Sequence, residues 1–369
     1  MKRIIVSIVS EQTVPNYLFI KEIFQIGDEL LFISSNKYAD RIDWILQTLD
    51  YRNCKEERIV FPERGEEKWV DMETQLLEKL SKEVLYVVNL TGGTKYMSLL
   101  TQSVFEKYNS RFYYIPYPQN IILEPSTNDA IPLKYRLDIK EYLSCYNVSF
   151  IEKYTVEERI YTDSFYERFL HGYLDYNVID LLRGYRNNKK VAIASIETCV
   201  ATEKRPQIPN LGSFLESISF PLQEKGFLTK PEIEFLTGGW FEEYMYYLIK
   251  DKIHPQDIKL GVLIQRTDRT NQNDLDVVFM SGNKLFVIEC KTGIQGQKMF
   301  NETVYKATAI KEAVLGLSAN TFVVALVSGD ENLKNTAKNM GISYKSREDI
   351  ETSKGLEDFV NEIKGKAKD

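Results

Sequence analysis

Residues 273–291, NDLDVVFMSGNKLFVIECK, constrain this chain more than any other stretch. Two short apolar runs rich in β-formers, Val277–Met280 and Leu285–Ile288, flank Ser281-Gly282-Asn283-Lys284. A Gly-Asn pair between strands signals a hairpin. With Gly282 and Asn283 as the loop, Ser281 pairs with Lys284, Asp276 faces Glu289 and Asp274 faces Lys291. Side chains two apart on a strand share a face. Four charged groups therefore crowd one face at one end of a ladder. The runs are apolar on both faces, which predicts a central, buried hairpin. Like charges directly opposite destabilise a ladder, and buried carboxylates must be paired or hold a cation. Opposed carboxylates suit Mg²⁺ or Mn²⁺, which take oxygen ligands, and Lys291 adds positive charge beside them. Such a cluster suits phosphodiester hydrolysis: the metal activates water and neutralises charge on phosphorus, and the lysine adds to that stabilisation. A solvated strand end closed by a salt bridge is the plainer expectation for the same spacing. Cys290 points to the other face, as a packed core cysteine.

The chain has 369 residues, enough for two domains. Its 47 basic and 53 acidic residues divide evenly: 18 and 21 fall in 1–148, 29 and 32 in 149–369. Neither half is a basic nucleic-acid-binding module, so contact with nucleic acid must rest on local patches and metal. Four cysteines without a CxxC spacing predict a reduced, cytoplasmic protein with no zinc site. Two histidines, His171 and His254, argue against histidine-centred catalysis. No signal peptide or long apolar run appears, which predicts no membrane span.

In the first half, strand and helix patterns alternate. Strands are expected at 3–9, 30–33, 58–61, 84–90 and 111–117, and helices at 17–24, 39–49, 66–80 and 96–107. This predicts an α/β domain with a parallel, doubly wound sheet. Ligands of such sheets bind beyond the carboxyl ends of the strands. Two loops there have suitable chemistry: Ser10-Glu11-Gln12-Thr13-Val14-Pro15-Asn16, and Asn89-Leu90-Thr91-Gly92-Gly93-Thr94-Lys95. In the second, glycines permit close backbone approach, the helix N-terminus offers N–H groups to an anion, and Lys95 adds a mobile charge. The GxxxxGK[ST] spacing is absent, which excludes a P-loop. An ordinary strand–helix turn is the competing expectation.

Residues 121–148 hold an irregular, proline-bearing stretch (Pro125, Pro132) and then a short helix or strand, and a boundary is expected near Tyr146–Phe150. Residues 149–230 read as a mainly helical connector. It carries the basic cluster Arg183–Lys190, RGYRNNKK, either a phosphate contact or a solvated loop. Residues 231–369 open with LTGGWFEEYMYYLI, a helix with Glu242 and Glu243 in its first turn. A strand at 260–265 leads into the hairpin. A helix at 299–316, a strand at 321–327, a helix at 331–340, a strand near 342–344 and a frayed GKAKD tail follow.

Taken together, GGWFEEY, NDLDVV and VIECK resemble the PD-(D/E)xK nuclease superfamily. The N-terminal half, with SEQTVPN after the first strand and NLTGGTK at a later strand end, is similar to a CARF domain. The combination resembles the CARF–nuclease effectors of type III CRISPR systems. The resemblance implies a Rossmann-like CARF domain over 1–148 and a restriction-endonuclease-like α/β domain over 231–369. It implies a homodimer switched on by a cyclic oligoadenylate, cyclic tetra-adenylate (cA4), bound across the dimer axis, which cleaves DNA or single-stranded RNA with Mn²⁺ or Mg²⁺. Asp276 and Glu289 match the metal-binding acids, with the Cys290 carbonyl as a further ligand. Lys291 matches the catalytic lysine and Glu242 the helix glutamate, with Glu243 as the alternative. Ser10, Glu11, Gln12 and Thr13 match one activator loop, and Thr91, Gly92, Gly93, Thr94 and Lys95 the other. Asp274 is left as a supporting residue, a partner for Lys291 across the ladder. The alternative function is a catalytically silent cyclic-oligoadenylate sensor that controls a partner. A CARF half that degrades its own activator is a third possibility.

Overall fold

The structure is a computed structural model that describes residues 2–368 except 50, 52–53, 63–67, 153–158, 173–175, 187–192, 195–207, 222–226, 269, 271, 294–306, 309–318 and 330. Strands β1 (Lys2–Val9), β2 (Glu29–Ser35), β3 (Glu56–Phe61), β4 (Val84–Asn89) and β5 (Ser110–Tyr113) form a parallel sheet of order β3-β2-β1-β4-β5. Helices α1 (Val14–Ile23), α2 (Asp40–Leu49), α3 (Trp69–Leu77) and α4 (Lys95–Phe105) link them. Central strands read as near-continuous apolar runs because both faces are covered. Ile5, Val87 and Phe32 pack on one side, and Val6, Val88 and Ile33 on the other. Strand order reverses between β1 and β4, so the loops after these strands flank the crevice where such sheets take ligands.

The proline-bearing stretch is ordered, and the short element expected after it is a helix. β6 (Ile121–Glu124) and β7 (Asp129–Pro132) form a hairpin, and α5 (Ile139–Ser144) starts at a capping box between Asp138 and Glu141. β8 (Val148–Glu152) then leaves for the second sheet, where it pairs with the strand Asp257–Arg266. β2 runs past the expected 33 through Ser34 and Ser35. β5 stops at Tyr113, short of the expected 117, because Tyr114 bridges to Leu123 of β6 instead.

The connector holds α6 (Arg159–Leu170), α7 (Tyr176–Tyr185), α8 (Leu211–Ser217) and a small ladder of β9 (Ile193–Ala194) with β10 (Phe227–Leu228). α9 (Lys230–Glu234) runs through a π turn, Phe235–Gly239, into α10 (Trp240–Ile253). The second sheet has order β15-β14-β13-β12-β11-β8. β11 (Asp257–Arg266), β12 (Gln272–Ser281) and β13 (Lys284–Lys291) are antiparallel neighbours, and β14 (Asn320–Ala325) and β15 (Ile342–Lys345) continue in parallel. A helix, Glu331–Asn339, lies between the last two. Of the helix expected over 299–316, only 307 and 308 fall among the described residues.

The C-terminal tail is not frayed. It continues a helix, Ser353–Ala367, whose Ile363 is fully buried. Lys284 Nζ donates to the carbonyls of Lys366 (3.0 Å) and Lys368 (2.6 Å), satisfying groups that a helix end leaves orphaned. Among the described residues no helix is long and apolar enough to cross a membrane.

The hairpin lies in the middle of this sheet and its tip is buried. Gly282 (φ 58°) and Asn283 (φ 60°) are both left-handed, the conformation a two-residue turn of this kind requires. Asn283 is fully buried: it donates to Asn120 Oδ1 (2.7 Å) and the Tyr135 carbonyl (3.0 Å), and its own Oδ1 accepts from Leu137 N–H (2.8 Å). Asn120 Nδ2 donates to the Gly282 carbonyl and the Tyr117 hydroxyl to the Asn283 carbonyl, each at 3.0 Å. The segment after β5 is thereby stitched to the turn that joins β12 to β13.

Candidate functional site

The acidic cluster forms where the hairpin opens. Register follows the expected pairing from Ser281–Lys284 to Val277–Ile288 and goes no further. Beyond it β12 stays with β11, and Asp274 aligns with Leu263 rather than facing Lys291. A side chain replaces the next ladder bond: Asp276 Oδ2 accepts the Cys290 N–H at 2.6 Å. On the other edge of β13, the Lys291 carbonyl accepts Leu326 N–H at 2.8 Å. Alternate residues of a strand bond to alternate neighbours, so the Cys290 carbonyl faces the gap that β12 has left. The Cys290 side chain packs in the core with Ile288 and Phe286, as expected.

Lys291 joins the acids. Its Nζ lies 3.5 Å from Asp276 Oδ2 and 3.3 Å from Glu289 Oε2. Burial works against its charge, but Asp276 and Glu289 overcome that and hold its pKa above the ordinary lysine value. Glu289 is 4% exposed. Glu242 completes the group from α10. Burial first, then the Asp276 charge, push its carboxyl up to about 8, against the pull of Lys291 and Arg186. Glu243, the alternative, is buried on the same helix. The sequence-predicted residues Asp276, Glu289, Lys291 and Glu242 thus come together, and Asp274 acts on Glu242 through its charge.

The expected metal donors, Asp276, Glu289 and the Cys290 carbonyl, are all hard oxygens, which fits Mg²⁺ or Mn²⁺. Carboxylates pressed together raise one another's pKa, and a divalent cation between them relieves that repulsion. The fit is one of chemistry rather than preformed geometry. Among the described residues no three His, Cys, Asp or Glu side chains converge as a ready metal site, and the Lys291 ammonium spans the two acids.

Sequence reasoning missed the contribution of α7. Arg183 Nη2 donates to the Thr292 carbonyl at 3.1 Å, immediately after Lys291. The π turn was equally invisible, although such bulges often mark functional sites.

A second site lies at the carboxyl ends of β1 and β4. A cavity of about 300 Å³ is lined by Ser10, Glu11, Gln12, Pro15, Thr91, Gly92, Tyr114, Ile115 and Tyr117. Its floor is a polar chain. Asn16 Nδ2 donates to the Ile8 carbonyl and Asn89 Nδ2 to Asn16 Oδ1. Asn89 Oδ1 accepts from the Thr91 hydroxyl (2.6 Å), and Thr91 Oγ1 accepts the Ile115 N–H (2.7 Å). Gly92 sits against β1, where a Cβ would stand 1.7 Å from the Ile8 carbonyl oxygen.

Four of the nine residues expected here do not line the cavity. Thr13 is fully buried, and its hydroxyl donates to the Cys145 carbonyl. Gly93 packs on Ile8 with φ 79°, Thr94 caps α4 by accepting Met97 N–H (3.2 Å), and Lys95 is the exposed first residue of α4. The tyrosines Tyr114 and Tyr117 and their neighbour Ile115 were read as strand. Their signal was position: an aromatic run at the carboxyl end of the strand beside β4.

The sequence matches the family described as Card1 CARF domain over residues 4–142, and the Card1-like, endonuclease domain family over residues 229–363. No curated protein matches it by sequence. Among solved structures the chain resembles protein VC1899 from Vibrio cholerae, with 18% identity, TM-score 0.78, and 100% of this chain and 99% of that one covered. It resembles Can2 from Sulfobacillus thermosulfidooxidans in complex with cyclic tetra-adenylate, with 20% identity, TM-score 0.74 and 100% of both chains covered. A type III CRISPR defence DNA nuclease activated by cyclic oligoadenylate aligns with 15% identity and TM-score 0.52, over 89% of this chain and 47% of that one. At these identities the likeness establishes the fold alone, and the two family matches identify its N-terminal, Rossmann-like part as a CARF domain and its C-terminal part as an endonuclease domain.

Proposed function

The chain belongs to the family that joins a Card1 CARF domain to a Card1-like endonuclease domain, and we propose that it is a metal-dependent PD-(D/E)xK endonuclease switched on by cyclic tetra-adenylate. The observation that carries this reading is the Asp276–Glu289–Lys291 cluster, completed by Glu242, within the endonuclease match. Asp276, Glu289 and the Cys290 carbonyl would hold Mg²⁺ or Mn²⁺. When bound, such an ion activates water and neutralises charge on phosphorus. Lys291 sets a fixed ammonium beside the same phosphate, where charge develops during displacement. Asp276 is oriented by the Cys290 N–H. Glu242 keeps its proton near neutral pH in the metal-free cluster and can hold or release one there.

The activator reading draws on the CARF match and on Can2, which was solved with cyclic tetra-adenylate. Ser10, Glu11 and Gln12 would meet adenines in the cavity. Phosphates would meet the α4 N-terminus, Thr94 and Lys95 at its rim. The chain would act as a homodimer with the activator on the two-fold axis. Val70 and Leu77 on α3 and Tyr96 and Leu99 on α4 are exposed apolar side chains, which a second copy would cover.

Activator binding reaches the cluster only if it favours one arrangement over another. The segment Tyr114–Asn120 offers a route. Tyr114 and Tyr117 line the cavity, while Tyr117 and Asn120 hold the Gly282–Asn283 turn, whose strands carry Asp276 and Lys291. Asn120→Ala is expected to leave activator affinity within about twofold and to lower the activation ratio at least about fivefold, the low end of typical coupling energies. An unchanged activation ratio would remove this route.

A catalytically silent sensor is the second reading. It is favoured by the absence, among the described residues, of a ready three-ligand site. Supercoiled plasmid and single-stranded RNA, each incubated with cyclic tetra-adenylate in Mn²⁺ or in chelator, separate the two. The nuclease reading expects cleavage of at least one substrate in Mn²⁺ and none in chelator. No cleavage under any combination would leave the sensor.

A further inference from the structure

The nuclease reading uses neither of two arginines that the connector brings to the edge of the acidic cluster. They leave the C-terminal end of α7 toward the strand end that carries Lys291. Arg183 is committed to the fold. Its Nη1 donates to Asp180 Oδ1 at 2.6 Å, and its Nη2 donates to the Thr292 carbonyl at 3.1 Å and to Thr292 Oγ1 at 3.3 Å. Thr292 in turn donates to the Thr237 carbonyl at 2.9 Å, in the π turn before α10. The end of β13, the π turn and α7 therefore form one rim around the cluster.

Arg186 stands on that rim and is exposed. Its Nη1 lies 3.2 Å from where a Cβ on Gly238 would be, and its charge is close enough to oppose that of Asp276 at Glu242. Gly293 is open to Arg183 in the same way, with its Cβ position 3.2 Å from Nη1. A side chain at either glycine would press on the guanidinium beside it. Without a cation the cluster sets the charges of Asp276 and Glu289 against that of Lys291 and would repel a polyanion. An exposed guanidinium at its edge supplies the opposite charge in the planar, multidentate form that binds phosphate.

Resting on the nuclease reading of the cluster, we propose that Arg186 is a substrate contact: its guanidinium holds a backbone phosphate next to the scissile one, without reading the bases. The chemistry is that of a phosphodiester backbone, and DNA and RNA both carry it.

The test uses full-length protein with cyclic tetra-adenylate and Mn²⁺, acting on plasmid and on single-stranded RNA. Arg186→Gln should raise KM about tenfold, the size of one hydrogen bond to a charged group, with kcat within about twofold. The slope of log KM against log salt should fall by about one, as for loss of one phosphate contact. Arg186→Lys, which keeps the charge, should recover the salt slope and part of KM. An effect on one substrate alone identifies which nucleic acid lies there. Unchanged KM and salt slope on both substrates would overturn the assignment. Binding of a fluorescein-labelled DNA duplex and of a labelled RNA strand, in chelator with activator, separates this claim from the one beneath it. If wild type cleaves neither substrate, the nuclease reading fails alone. Weaker binding by Arg186→Gln would still support the contact, and equal binding would remove it.

Discussion

Replacing Lys291 with Ala, or Glu289 with Gln, is expected to lower activated cleavage by about 10²–10³-fold, the loss typical of removing one preorganised electrostatic group from a transition state. Affinity for cyclic tetra-adenylate should stay within about twofold, because neither residue lines the CARF cavity. The two substitutions fail for different reasons. Lys291 Nζ bridges Asp276 and Glu289, so Ala takes the positive charge away from both acids. Removing one partner of a buried pair can destabilise by about 3–5 kcal/mol. Glu289→Gln keeps the shape and removes only the charge that a cation would meet. Loss of cleavage in Glu289→Gln with an unchanged melting temperature therefore isolates chemistry from folding. Cleavage by either variant at the wild-type rate would dissolve the site assignment.

Gly92→Ala carries the second large effect, on the activator side. The added methyl would stand 1.7 Å from the Ile8 carbonyl oxygen, a backbone atom that cannot swing away. Either β1 or the Thr91–Gly93 turn must move. That turn lines the cavity and anchors its floor through Thr91, which accepts the Ile115 N–H. Overpacking of this kind costs roughly 1–3 kcal/mol. Activator affinity should fall at least about tenfold, one 1.4 kcal/mol step, and the activator midpoint of cleavage should shift with it. At saturating activator the endonuclease cluster, which shares no residue with this turn, should still cut. Calorimetric titration and a cleavage titration check the two halves of this expectation. Wild-type affinity in Gly92→Ala would show that the cavity is not where the activator binds.

Much of this was legible from residues alone, for identifiable reasons. The hairpin followed from two β-rich apolar runs around a Gly282-Asn283 pair, because a two-residue turn fixes the register of the strands it joins. The parallel sheet followed from alternating apolar strands and amphipathic helices. What failed was set by contacts distant in sequence. Strict register predicts that Asp276 faces Glu289 across the ladder. The ladder instead ends one pair earlier, because the Asp276 carboxylate takes the Cys290 N–H itself. β8 falls across the expected boundary and connector and is not legible as a strand, because Val148–Glu152 is an edge strand with one buried residue and no apolar alternation. The tail looked frayed because nothing near it announces that Lys284 will cap its helix. Thr13 lay in a polar loop, as a ligand contact should, yet its hydroxyl is spent on the Cys145 carbonyl. Arg183 and Arg186 sat in a basic cluster whose sequence gave no sign of which strand end it would reach.

The central claim is that one chain senses at the β1–β4 crevice and cuts at the β12–β13 fork. The most direct measurement is the initial rate of plasmid cleavage by the wild-type protein in Mn²⁺, titrated with cyclic tetra-adenylate. The rate should rise at least about tenfold, within the range of ordinary allosteric coupling, and saturate with the midpoint measured for binding. The same rate with and without activator, in a protein that binds it, would contradict the account.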